Sequence, residues 1–215
     1  AYICEQNQEG EIIWENTYGS NLRNWIKDGQ QLADSSYVFV GWQFLPETEG
    51  VSINRQETFI LKTDAVGDSL WMKTIQGDNR SIEGVGVETD GINKLYILSS
   101  EEVSLSGDII AVSKYTTSGD SLWTKYYPFR GLSYGTDIVQ AENGNMVIAG
   151  YAGFTEENLR APFLMEIDSE GNEIWVENYL EEVGSPFAER ITRTNNGGYA
   201  TCVGFNDRVR LLVTN

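Results

Sequence analysis

The pentapeptide Gly-Asp-Ser-Leu-Trp occurs at residues 67–71 and again at 119–123. Gly10-Glu11-Ile12-Ile13-Trp14 and Gly171-Asn172-Glu173-Ile174-Trp175 fit the same frame, so the anchoring glycines fall at 10, 67, 119 and 171, with separations of 57, 52 and 52 residues. A period of roughly 50 residues means that one supersecondary unit is copied along the chain. No single copy can enclose a core, so the copies must bury their apolar faces against one another.

Each copy carries four short β signals. In the third, Ser121–Tyr126 is an alternating strand ending in large side chains, followed by a loop and Thr136–Gln140. The turn Glu142-Asn143-Gly144-Asn145 leads into Met146–Gly150, and a second loop leads to Pro162–Ile167. The turn Asp168-Ser169-Glu170-Gly171 then opens the next Trp strand at 173–178. Asn-Gly and Asp-x-x-Gly between alternating runs are hairpin signals, because glycine accepts the positive φ that such turns demand. The middle hairpin recurs before 37–41, 94–100 and 199–204, and the strand after it recurs at 58–64, 111–115 and 210–214, with a further copy at Tyr2–Gln6. No segment sustains an apolar period of 3.6, so no significant helix is expected. The expectation is an all-β chain: a single β-propeller domain over residues 1–215, with about four repeats building four-stranded antiparallel blades.

The frame of an apolar strand, Asp-x-x-Gly, [Leu/Ile]-Trp and a hairpin ending in Gly resembles the tandem repeats of β-propeller proteins secreted by Bacteroidota. These are distantly similar to quinoprotein-type propellers. The likeness spans essentially the whole chain, and its motifs specify architecture rather than activity. Repeat one departs by a longer insertion, repeat two has Ser99-Ser100 where the others end in Gly, and repeat four has almost no third loop. The resemblance implies that Trp14, Trp71, Trp123 and Trp175 are structural, buried wedges between neighbouring blades. The competing reading is a set of stacking platforms for sugars.

Closure of the ring is left open by the strand count. Numbering each blade's strands from the axis outward, with the Trp strand fourth, the chain begins and ends on a third strand. Either the N-terminal hairpin completes the last blade, or the chain is a slice of a larger propeller. The first arrangement sets Cys4 beside Cys202, on neighbouring strands of one blade. That pair is the disulfide candidate, and a bridge would imply an oxidising compartment.

Charge removes several functions. Fifteen Lys and Arg stand against 32 Asp and Glu, for a net charge of −17 with no histidine. Nucleic acid needs a cationic surface and anionic membranes attract basic segments, so neither is an expected partner. No run of about 18 apolar residues exists to span a membrane. The N-terminus lacks a signal peptide's basic and apolar segments, and the resemblance implies an extracellular or cell-surface location. Without histidine there is no Ser–His–Asp site, and the commonest metal ligand is missing. Asp168, Glu170 and Asn172 alternate like part of a calcium loop but belong to a tight turn without the downstream Glu. Gly84-Val85-Gly86 sits on a strand, not before a helix. No catalytic residue, metal or cofactor is expected.

Blade topology gathers the fourth-to-first and second-to-third connections on one face. These are the long, variable loops, and rigidly held loops are where binding tends to reside. The face collects Glu47 and Glu49, Glu101 and Glu102, Glu156 and Glu157, and Glu181 and Glu182. It also carries Arg23, Arg80 and Arg130 among many aromatics, including Trp25, Trp42, Phe44, Tyr134, Tyr151 and Phe154. Aromatics mixed with Arg suit recognition of protein or glycan. The candidate ligand-binding residues are Trp25, Arg23, Arg80, Arg130 and Phe154. The expected function is non-catalytic binding of a protein or glycan. The alternatives are a carbohydrate-active enzyme using loop carboxylates and a spacer module in a large surface protein.

Overall fold

The computed structural model describes residues 1–19, 23–45, 55–77, 80–104, 107–153, 160–179, 187–205 and 208–214. Among them the chain forms seventeen β-strands and no helix. A hairpin of β1 (Tyr2–Gln6) and β2 (Ile12–Thr17) precedes four blades. The first blade is β3 (Asn24–Gln31), β4 (Tyr37–Phe44), β5 (Gln56–Thr63) and β6 (Ser69–Ile75). The second is β7 (Ile82–Thr89), β8 (Lys94–Ser104), β9 (Gly107–Thr116) and β10 (Ser121–Tyr127). The third is β11 (Arg130–Gln140), β12 (Met146–Gly153), β13 (Arg160–Ile167) and β14 (Glu173–Asn178). The fourth has three strands, β15 (Phe187–Arg193), β16 (Tyr199–Phe205) and β17 (Arg208–Val213). All pairings are antiparallel between consecutive strands, as a β-propeller of four-stranded blades requires.

The core is divided into layers between blades. One layer holds Val38, Val40 and Ile60 of the first blade against Val87, Leu95 and Ile97 of the second. The largest joins Tyr96, Leu98 and Val112 to Ile138, Ile148, Phe163 and Met165 of the third, and another packs Val147 and Leu164 on Ala188 and Ile191 of the fourth. A middle strand is therefore covered on both faces. That is why β13 is buried from Ala161 to Ile167 and reads as a near-continuous apolar run.

The repeated motif is explained by contacts between blades. Gly10, Gly67, Gly119 and Gly171 each have φ between 78° and 88°, and each donates its N–H to the carbonyl three residues earlier. The tryptophan four residues later sits opposite Glu5, Lys62, Lys114 or Glu166 of the preceding strand. Each indole is half-buried rather than fully enclosed. Trp14 lies over Gly67, Trp71 over Gly119 and Trp123 over Gly171, so one unit's indole covers the next unit's turn glycine. Residues two and four further along the same strand face reinforce the latch. Asn16 Nδ2 and the Tyr18 hydroxyl donate to the Gly67 carbonyl, Lys125 Nζ bonds Asn172, and the Tyr127 hydroxyl reaches the Gly171 carbonyl at 2.9 Å.

The expected Cys4–Cys202 disulfide is not formed. Both thiols are free, Cys4 on β1 and Cys202 exposed on β16. The reason is topological: β16 already has β15 on one side and β17 on the other, so no edge remains for β1, which pairs with β2.

Candidate functional site

Along the axis run acidic side chains that the sequence reading did not single out. Asp28 Oδ2 on β3 accepts the Val87 N–H of the second blade at 2.9 Å. Glu88 Oε2 on β7 accepts the Gln140 N–H of the third at 3.2 Å, and Asp137 Oδ2 on β11 accepts the Ile191 N–H of the fourth at 2.9 Å. Innermost strands are edges with unpaired donors, and these carboxylates satisfy them from the neighbouring blade. Burial pushes the carboxyls of both Glu88 and Asp137 above the usual carboxylate range, partly opposed by these same hydrogen bonds. Arg190 of β15 completes the circuit. It lies 3.5 Å from Asp137 Oδ1 and 4.0 Å from Asp28 Oδ1, and donates to the Lys27 carbonyl at 3.2 Å. The fourth blade thereby meets the first across the axis. The available signal was a repeat: Asp28 and Asp137 each follow an aromatic, Trp25 and Tyr134, by three residues on a first strand.

The long-loop face is built on one rung of the blades. Trp25 pairs across strands with Trp42 in the first blade, and Tyr134 pairs with Tyr151 in the third. Each rung lies one step outside the glycine that ends the second strand's motif. A Cβ on Gly41 would strike the Trp25 carbonyl, and one on Gly150 the Tyr134 carbonyl. Glycine is needed there because the first strand crosses too closely for a side chain. Both cross-strand pairs are stacked, Trp25 on Trp42 at 4.2 Å between centroids and Tyr134 on Tyr151 at 5.8 Å. In the second blade the same rung holds Glu83 and Ser100.

In the first blade Phe44 sets its ring edge-on to both tryptophans. Trp25 is 43% exposed and Trp42 only 9%, so the outer indole forms an open platform on an enclosed one. The Trp42 indole N–H is buried without an acceptor among the described residues. On the opposite face of the same strands, the buried Glu57 carboxylate takes an amide on each oxygen, Gln43 Nε2 and Gln76 Nε2, both at 2.7 Å.

Between the second and third blades, the Tyr134 hydroxyl donates to Glu83 Oε2 at 2.6 Å, and the Arg160 guanidinium lies 5.8 Å from the Tyr151 ring centre. Burial and the Glu83 carboxylate push the Tyr134 hydroxyl far above the ordinary tyrosine range. Ser133 Oγ bonds the Asp108 carbonyl at 2.7 Å. Burial, then Glu102 and Glu83, raise the Asp108 carboxyl, opposed by Arg160.

The remaining sequence candidates divide. Arg80 is half-exposed and pairs with the buried Glu101 at 3.3 Å. Glu101 and Glu102 were expected on a loop, but both lie on β8, where Glu101 pairs across strands with Ile82 and Ile109. Arg23 is exposed, and its carbonyl accepts the Phe44 N–H at 3.0 Å. Arg130 opens β11 opposite Gly153. Phe154, Glu47, Glu49, Glu156, Glu157, Glu181 and Glu182 lie outside the described residues. No group of three or more potential metal ligands occurs among the described residues. No helix among them is long and apolar enough to cross a membrane.

Neither a protein-family model nor a curated protein sequence matches the chain. Solved structures do. A protein of unknown function from Bacteroides caccae aligns over 98% of this chain and 68% of its own length, at 13% identity and a TM-score of 0.56. The endo-arabinase of Bacteroides thetaiotaomicron aligns over 95% of this chain and 80% of its own, at 12% identity and a TM-score of 0.57. At such identities the likeness is one of fold, and it makes this chain similar to β-propellers found in Bacteroides.

Proposed function

We propose that this protein is a non-catalytic glycan-binding propeller, acting outside the cell or on its surface through the long-loop face. The observation that carries the reading is the open Trp25 indole stacked on the enclosed Trp42, with Phe44 edge-on. A flat aromatic held rigid from below offers a sugar ring a stacking surface at little entropic cost. The endo-arabinase is a precedent for a glycan on this scaffold, though not for this sequence.

Calorimetric titration with neutral oligosaccharides from arabinan, xylan and mannan tests the proposal. Trp25→Ala should weaken the bound member of the panel by upwards of about 1 kcal/mol while leaving the melting temperature nearly unchanged. Binding untouched by Trp25→Ala would overturn this site.

One observation favours an enzymatic alternative: Asp108 has a raised carboxyl and shares its surroundings with Glu83. Glycoside hydrolysis uses a pair of carboxyl groups, one of them serving as the general acid. New reducing ends released from the same panel by the wild type, and lost in Asp108→Asn, would establish that alternative.

A further inference from the structure

Resting on that reading of the face, we propose that the junction of the second and third blades is a second sugar subsite that selects neutral glycans and rejects anionic ones. Its platform is the Tyr134–Tyr151 stack, on the same rung as Trp25–Trp42 two blades away. The blade repeat thus presents two aromatic pairs on one rim, as an extended chain with several sugar rings requires.

The two subsites differ in their charge. Trp25 and Trp42 stack beside Phe44, whereas Tyr134 is tied to Glu83 through a hydrogen bond of 2.6 Å. Glu102, opposite Asp108 across the strands, and Glu83 each repel the Asp108 carboxylate, with Arg160 beside the Tyr151 ring as the opposing charge. Carboxylates accept hydrogen bonds from sugar hydroxyls and have none to donate when ionised. A neutral ring therefore finds acceptors here. A uronic acid or sulfated ring brings a further negative charge beside Asp108, Glu102 and Glu83, opposed among the described side chains by Arg160, on a chain of net charge −17. Like charges in this proximity supply discrimination by repulsion rather than by any added contact.

The experiment compares neutral oligosaccharides from arabinan, xylan and mannan with oligogalacturonate of equal length. Calorimetry is run at low ionic strength and again at about 1 M salt, where the screening length falls to about 3 Å. The expected result at low salt is binding of a neutral member, with oligogalacturonate weaker by about tenfold or more, equivalent to about 1.4 kcal/mol. High salt should narrow the gap. Glu83→Gln and Asp108→Asn should each narrow it about threefold at low salt, and Arg160→Gln should widen it, the opposite sign guarding against a variant that folds poorly. Equal affinities for neutral and anionic chains in the wild type would overturn the subsite while leaving glycan binding by the face intact. So would a gap unmoved by salt and by all three substitutions. If the wild type binds neither class, the reading of the face fails and this inference falls with it.

Discussion

Replacing Gly67 by alanine tests the interlock that the repeat encodes. The backbone there has φ of 83°, a left-handed conformation that costs an alanine roughly 1–2 kcal/mol. The added Cβ would also lie 2.6 Å from Trp14 Cζ3 and 2.9 Å from Asn16 Nδ2, separations that force the indole and the amide to move. Overpacking of this kind costs about 1–3 kcal/mol, so the total should be about 2–5 kcal/mol. Gly10 supplies the control, since its φ is 82° in the same turn but a Cβ there meets nothing within 4 Å. Gly10→Ala should therefore show only the backbone part, about 1–2 kcal/mol. Urea unfolding followed by tryptophan fluorescence gives both values if the slopes remain equal. The cycle is completed by Trp14→Ala alone and with Gly67→Ala. Removing the indole should relieve the clash, leaving a coupling of about 1 kcal/mol or more between the two sites. If Gly67→Ala cost no more than Gly10→Ala, or the double mutant were strictly additive, the indole-on-glycine latch would be the wrong account of the motif.

Asp137→Ala should destabilise by about 2–5 kcal/mol in urea unfolding, because it strands the buried N–H groups of Ile138 and Ile191 and removes a partner of Arg190. A loss below about 0.5 kcal/mol would deny the axial carboxylates their role in joining blades. Glu166 tests acid sensitivity: burial works to raise its carboxyl, but hydrogen bonds from Asn145, Asn143 and Trp175 prevail and hold it low. A depressed folded-state value stabilises above the unfolded carboxylate range, near 4.5, and that contribution is lost as pH falls through the lowered value. The stability difference between wild type and Glu166→Gln should therefore shrink as urea midpoints are followed from neutral pH down through that window. A difference constant with pH would exclude the mechanism.

The strands themselves were legible in the sequence. Tyr2–Gln6 and 173–178 coincide with β1 and β14, and the turn glycines at 10, 67, 119 and 171 all take positive φ. Such features are local: alternation, a Gly-bearing turn and a missing 3.6-residue period depend on residues within one hairpin, and repetition makes each copy corroborate the others. The candidate site was legible only in part. Trp25 was found from its residue type and loop position, but the stack beneath it depends on the register that sets Trp25 opposite Trp42.

What the tertiary structure alone decided lies between blades. Glu83 and Tyr134 are 51 residues apart, as are Asn16 and Gly67, and no local pattern says which carboxylate a tyrosine or a backbone N–H in the next blade will meet. The same holds for Glu101, which reads as a solvated loop charge yet ends buried against Arg80 because β8 runs on to Ser104. The cysteines make the point in reverse. Strand type alone allowed Cys4 beside Cys202, and β17 takes the edge that such a pairing required. Sequence determines which segments become strands because that choice is made by short-range backbone preference. Which edges meet, and which charges they enclose, is decided by competition among distant segments for the same hydrogen bonds.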